Sequence, residues 1–214
     1  MEKIYLYTRF ERFWHWLQGL LIILLIITGF EIHSTYTLFG FEKAFTIHNY
    51  AAWTWLILFI FIVFWLIITG EWRQYIPTMK KIIDVMMYYA FNIFKGYPHP
   101  VPKSKRKKHN PLQRITYLVI VSFLIPYQII TGFLYYYYNE LPKDCIFGNI
   151  EVLAALHTIG AFSFILFLII HVYMTTTGHT WTGHIKSMFT GWEEVENPHD
   201  IEEWEVKKLA KDKK

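Results

Sequence analysis

Four long apolar stretches alternate with polar segments along the 214 residues. They run from about Phe13 to Phe30, His48 to Thr69, Ile115 to Tyr138 and Val152 to Met174. A bilayer core about 30 Å thick needs roughly 20 apolar residues in a helix rising about 1.5 Å per residue. Each stretch therefore predicts a membrane-spanning helix, and together they predict an all-α integral membrane protein folded as a four-helix transmembrane bundle. The first stretch is not expected to be a cleavable signal, because Trp14-His15-Trp16 opens it and no small-residue cleavage site follows. Pro126 is expected to kink the third span. The segment Ile82 to Phe94 is apolar but short, contains Asp84 and is flanked by lysines, so it predicts an amphipathic helix on the membrane surface. The predicted organisation is a transmembrane domain over residues 1–191, with a loop bearing the surface helix over 72–110, and a charged tail over 192–214. Thr-Gly recurs at 28–29, 69–70 and 131–132, near three span ends.

Charge fixes the expected direction of insertion. Lys3, Arg9 and Arg12 precede the first span, ten Lys and Arg residues from Arg73 to Arg114 lie between spans two and three, and the tail holds six lysines. The other two loops contain only Lys43 and Lys143. By the positive-inside bias, both termini and the middle loop are cytoplasmic. Trp53, Trp55 and Tyr135 to Tyr138 suit the opposite interface. Hydrophobic residues make up 54% of the chain and charged residues 18%, against about 25% charge in a soluble domain. Disorder and nucleic-acid recognition are excluded despite the net charge of +4. Cys145 is the sole cysteine, which excludes a disulfide framework, an iron–sulfur cluster and covalently attached haem. Metal binding therefore falls to histidine or carboxylate, and there are ten histidines.

An ionisable residue inside a span is costly and marks function by default. His157 and His171 are fourteen residues apart in the fourth span. At about 100° per residue they leave nearly the same helix face, about 21 Å apart along the axis. That spacing is too great for one metal and suits two stacked cofactors. His15 opens the first span at the depth of His171, and His48 opens the second at the depth of His157. Two level pairs of neutral imidazoles suit bis-histidine ligation of two b-type haems better than tetrahedral zinc. Gly19, Gly29 and Gly160 stand where a missing side chain lets a flat ring approach. His33 is a rival to His48, but its spacing from His15 is about 27 Å, which overshoots the outer pair. Two readings stand for Arg12, a propionate partner of the inner haem or a residue serving the orientation rule. His179 and His184 stand near headgroups or propionates, while His99, His109 and His199 fall in polar loops.

Arg9-x-x-Arg12-x-x-His15-Trp16, a first span ending Thr28-Gly29, and His157 to His171 followed by Val172-Tyr173-Met174, Lys186-Ser187-Met188 and Gly191 resemble bacterial di-haem cytochrome b subunits. These are the membrane anchors of nickel–iron hydrogenases, formate dehydrogenase (its gamma subunit) and thiosulfate reductase. Trp72 to Pro77 and Asn110 to Arg114 resemble the thiosulfate-reductase type most. The resemblance covers nearly the whole chain to about Gly191. It implies a four-helix bundle carrying two haems, His15 and His171 on the inner one and His48 and His157 on the outer one. It also implies a quinone pocket beside the inner haem, with Asn110 and Gln113 as hydrogen-bond partners. Pro111 and Leu112 depart there from the smaller residues of the formate-dehydrogenase relatives.

The implied function is electron transfer across the bacterial cytoplasmic membrane, between menaquinol or ubiquinol and a redox partner on the periplasmic face. Outer loops of roughly 15 residues are too short to form a redox domain, so an iron–sulfur or multihaem subunit is expected to dock there. On this reading the chain is one subunit of a quinone-linked oxidoreductase. Two alternatives stand beside it. A superoxide:quinone oxidoreductase of the same fold would need a cationic outer funnel, whereas Lys43 and Lys143 face Glu31, Glu42, Glu140, Asp144 and Glu151. A haem-free membrane scaffold would use its histidines as interhelical polar contacts.

Overall fold

The computed structural model describes residues 2–97, 99–101, 103–104, 107–144, 146–178 and 180–195. Its elements are strand β1 (Glu2–Tyr5), helices α1 (Arg9–Ile32), α2 (Phe41–Thr69), α3 (Ile82–Ala90), α4 (Pro111–Val119), α5 (Ile125–Tyr136), α6 (Ile150–Thr175) and α7 (Gly183–Thr190), and strand β2 (Trp192–Val195). The readings of Cys145, His179, His199, Lys105, Arg106 and the tail over 196–214 fall outside the described residues.

Four stretches are long and apolar enough to cross a membrane: Arg9–Ile32, Phe41–Thr69, Pro111–Tyr136 and Ile150–Thr175. Three begin several residues before the apolar runs that predict them, because helix starts are set by polar caps and turns rather than by hydrophobicity. At the start of α1, Thr8 N donates to Glu11 at 2.7 Å and Glu11 N donates to the Thr8 hydroxyl at 3.2 Å, a reciprocal capping box. At the start of α4, Asn110 Oδ1 accepts from Gln113 N at 2.9 Å, and Gln113 Oε1 accepts from Asn110 N at 3.0 Å. Pro111 follows at the first helical position, where its missing N–H costs nothing. The third span is continuous from α4 to α5 through one π-helical stretch, Ile120–Leu124. Pro126 explains this wider turn, since it has no N–H to give back and its ring would collide with a carbonyl in a regular helix.

The chain divides into two compact units. One, residues 13–68 and 121–172, is a helical bundle made from the membrane lengths of α1, α2, α5 and α6. Phe30 meets Phe162, Trp53 meets Phe133 and Trp55 meets Phe164 edge to face within it, with ring centres 5.3–5.8 Å apart. Its α1–α2 turn is fixed by buried Glu31, whose Oε1 accepts from the backbone N–H groups of Leu38, Phe39 and Gly40 at 2.7, 2.6 and 2.7 Å.

The other unit, residues 1–12, 69–120 and 173–214, holds both strands, α3, α4 and α7. Here β1 pairs antiparallel with β2, Tyr5 opposite Trp192. The segment expected to be a tail from residue 192 thus opens with a strand. The 72–110 loop was expected to carry a surface helix, and its helix is short. Only α3 is α-helical, with 3₁₀ turns at Glu71–Tyr75 and Asn92–Lys95. α3 keeps Val85 and Tyr88 inside and exposes Ile83, Met86 and Met87. Lys108 is buried between two carboxylates, Glu11 at 2.7 Å and Glu71 at 3.2 Å.

Candidate haem-binding site

In the bundle the histidines meet in two couples. The ring centres of His15 (α1) and His171 (α6) are 5.9 Å apart, and those of His48 (α2) and His157 (α6) are 6.4 Å apart. A metal–imidazole bond of about 2.0 Å, with about 1.1 Å from nitrogen to ring centre, separates two trans ligands by about 6.2 Å. Both couples match the span that an iron between them would require. Among the described residues, no three His, Cys, Asp or Glu side chains gather as a metal set. Pairs alone suit a porphyrin, which brings four equatorial nitrogens itself.

The walls fit a flat macrocycle. A cavity of about 470 Å³ is lined by His48, His157, Gly29, Gly132, Phe133 and Ile165, among other mostly apolar groups; ligand pockets commonly occupy about 300–1,000 Å³. A Cβ on Gly132 would stand 3.2 Å from His157 Cε1, and one on Gly29 would stand 3.5 Å from His48 Cε1. Gly160 instead faces Gln128 and Tyr127, and nothing lies within 4 Å of a Cβ at Gly19. The sequence reading missed Gly132. His33 lines the same cavity, while the 6.4 Å couple is made by His48 and His157.

Hydrogen bonds set the tautomers. His48 Nδ1 lies 2.9 Å from Thr28 Oγ1, and His157 Nδ1 lies 3.1 Å from Thr131 Oγ1. Gln128 Nε2 approaches both ring nitrogens of His157, at 3.3 and 3.2 Å. His15 Nδ1 is buried and has no hydrogen-bond partner. Trp16 and Phe167 line that couple, 5.3 Å from His15 and 5.5 Å from His171 between ring centres.

The remaining predicted residues lie in the other unit. Arg12 Nη1 donates to Phe189 O near the end of α7, and Nη2 donates to the Tyr5 hydroxyl at 3.3 Å. Asn110 and Gln113 form the capping box of α4, and Asn110 Nδ2 also donates to the Tyr89 hydroxyl at 3.1 Å. The Asn-Pro-x-Gln order carries this signal in sequence. His109, expected to be solvated, lies between Tyr75 and Tyr117 with ring centres 5.0 and 5.1 Å away. Burial, and then the charges of Lys103, Lys108 and Arg114, lower its pKa to about 3, so the ring is neutral. His184 Nδ1 meets Glu193 at 2.8 Å, and Lys103 meets the same oxygen at 2.6 Å. Burial would raise the Glu193 pKa, but the His184 hydrogen bond and the Lys103 charge outweigh it and hold the carboxyl at about 2. In the bundle's α5–α6 loop, Lys143 donates to Tyr138 O at 2.6 Å and sits over its ring.

The family described as prokaryotic cytochrome b561 matches residues 6–191. The chain is 29% identical over 201 residues to the protein named cytochrome YdhU of Escherichia coli (strain K12), covering 89% of this chain and 75% of that one. It is 26% identical over 196 residues to a Ni/Fe-hydrogenase B-type cytochrome subunit of Rhodobacter capsulatus, covering 80% and 73%. A subunit of the same description from Cupriavidus necator is 24% identical over 201 residues, covering 81% and 79%. No solved structure matches the chain.

Proposed function

Because the chain belongs to the prokaryotic cytochrome b561 family, and is thus a membrane b-type cytochrome of electron transfer, we propose that it carries two haems and links the quinone pool to a redox partner subunit. The observation that carries this reading is the pair of histidine couples, each at the ring separation of a bis-histidine site. Haem b in each couple would supply a one-electron ferric–ferrous couple. His15 and His171 hold one group, and His48 and His157 hold the other. The apolar walls exclude water, and Gly29 and Gly132 leave room for the ligand rings.

Quinol is the substrate on the cytoplasmic side, bound near the start of the third span. The capping box of Asn110 and Gln113 fixes the backbone at the start of α4, and the Gln113 amide N–H groups would be available to a quinone oxygen. The partner docks on the periplasmic face. The relatives named as cytochrome subunits of Ni/Fe-hydrogenases support such an assembly, as do the short outer loops of the chain.

Purified protein mixed with menaquinol or ubiquinol analogues tests the quinone link. Reduction of the haem α-band by at least one quinol is expected. Reduction by dithionite, with none by any quinol, would refute the link while leaving the cytochrome reading intact.

A further inference from the structure

Two of the Thr-Gly dipeptides near span ends, Thr28-Gly29 and Thr131-Gly132, repeat one arrangement. Thr28 is fully buried on α1, its hydroxyl 2.7 Å from Leu24 O one turn back and 2.9 Å from His48 Nδ1. Thr131 is buried on α5, its hydroxyl 2.9 Å from Tyr127 O and 3.1 Å from His157 Nδ1. A hydroxyl has a single proton and gives it to the carbonyl of the preceding turn. The second contact must then be donated by the imidazole, so Nδ1 carries the hydrogen and Nε2 is the acceptor, which at His157 has the Gln128 amide nitrogen 3.2 Å away. Beside each threonine the glycine makes room for the same ring, Gly29 for His48 and Gly132 for His157. Thr69-Gly70 does not share this arrangement, since Gly70 has a left-handed backbone (φ 75°) and ends α2.

We infer that Thr28-Gly29 and Thr131-Gly132 are matched fittings, in which each hydroxyl fixes the tautomer and increases the donor strength of a histidine on a neighbouring helix while the adjacent glycine seats its ring. Thr28 and Thr131 are positioning residues for His48 and His157. The inference rests on the haem reading above. An acceptor behind Nδ1–H gives the imidazole partial imidazolate character, which favours ferric over ferrous iron and lowers the potential. His15 Nδ1 has no such acceptor, so the fitting seen at His48 and His157 is not repeated there.

The test uses the purified full chain with its haem, as wild type and as T28V, T131V, T28S, T131S and T69V. The readouts are haem content, midpoint potentials by spectroelectrochemistry and the electron paramagnetic resonance of the ferric protein. In T28V and T131V one of two potentials should rise, by about tenfold in the ferric–ferrous equilibrium, which is 59 mV for one electron. The other potential should stay fixed, the ferric signal of one haem alone should change, and the serine variants and T69V should match wild type. Loss of one haem in a valine variant, with both kept in its serine counterpart, would support the same conclusion. Unchanged potentials with both haems present, equal shifts of both, or a serine variant as defective as valine would overturn it. Colourless wild-type protein would instead refute the haem reading on which it rests.

Discussion

His48 and His157 face each other with ring centres 6.4 Å apart and planes at 72°, and each ring is backed by a threonine hydroxyl from another helix. Four helices thus converge on one couple. In an apolar bundle an imidazole left without partners is expensive. Here each Nδ1 is satisfied by threonine, and Gln128 Nε2 lies 3.2 Å from His157 Nε2.

The glycine behind His157 gives a steric prediction. A Cβ on Gly132 would stand 3.2 Å from His157 Cε1, so G132V should displace the ring and lose one haem while keeping the other. T69V should keep both. Haem-to-protein ratios of the purified variants check this pair of outcomes.

Lys108 should prove a structural residue. It is buried against Glu11 and also reaches Glu71. Removing one partner of a buried ion pair leaves an uncompensated charge and costs about 3–5 kcal/mol. K108M should lower the thermal midpoint in detergent, followed by tryptophan fluorescence, whereas K108M/E11Q should recover much of the loss.

Acid should act on two groups in separate windows. The His109 pKa is lowered to about 3, so the unfolded chain takes up a proton below about pH 6.5 that the folded chain refuses. Stability from this group falls as pH drops from about 6.5 towards 3. The Glu193 pKa is lowered to about 2, so its contribution is complete above about pH 4.3 and is lost as pH falls towards 2. H109N should flatten the upper part of a stability–pH curve, and E193Q the lower part.

Much of this was legible in the chain. Hydrophobic length gives the four spans, and the 3.6-residue period places His157 and His171 on one face of α6. Helix starts were less legible, because Thr8, Glu11, Asn110 and Gln113 act through local hydrogen bonds outside the apolar runs. Gln113 and Asn110 were read only as quinone ligands, although their spacing is that of a capping box. Gly132 was passed over because its neighbour across the bundle, His157, is remote in sequence. The pairing of Glu2–Tyr5 with Trp192–Val195 joins four-residue strands from distant parts of the chain, which no local pattern announces. His109 was assigned to solvent because its basic loop is visible in the sequence and its stacking on Tyr75 and Tyr117 is not.

The most direct measurement is haem stoichiometry, by pyridine haemochrome assay, in the wild-type chain and in the single variants H15A, H48A, H157A, H171A and H33A. Two low-spin haems are expected in wild type and in H33A. One haem should remain in each of the other four, with H15A and H171A sharing one residual spectrum and H48A and H157A sharing another. Protein purified without haem, or an H48A variant that keeps both haems while H33A loses one, would contradict it.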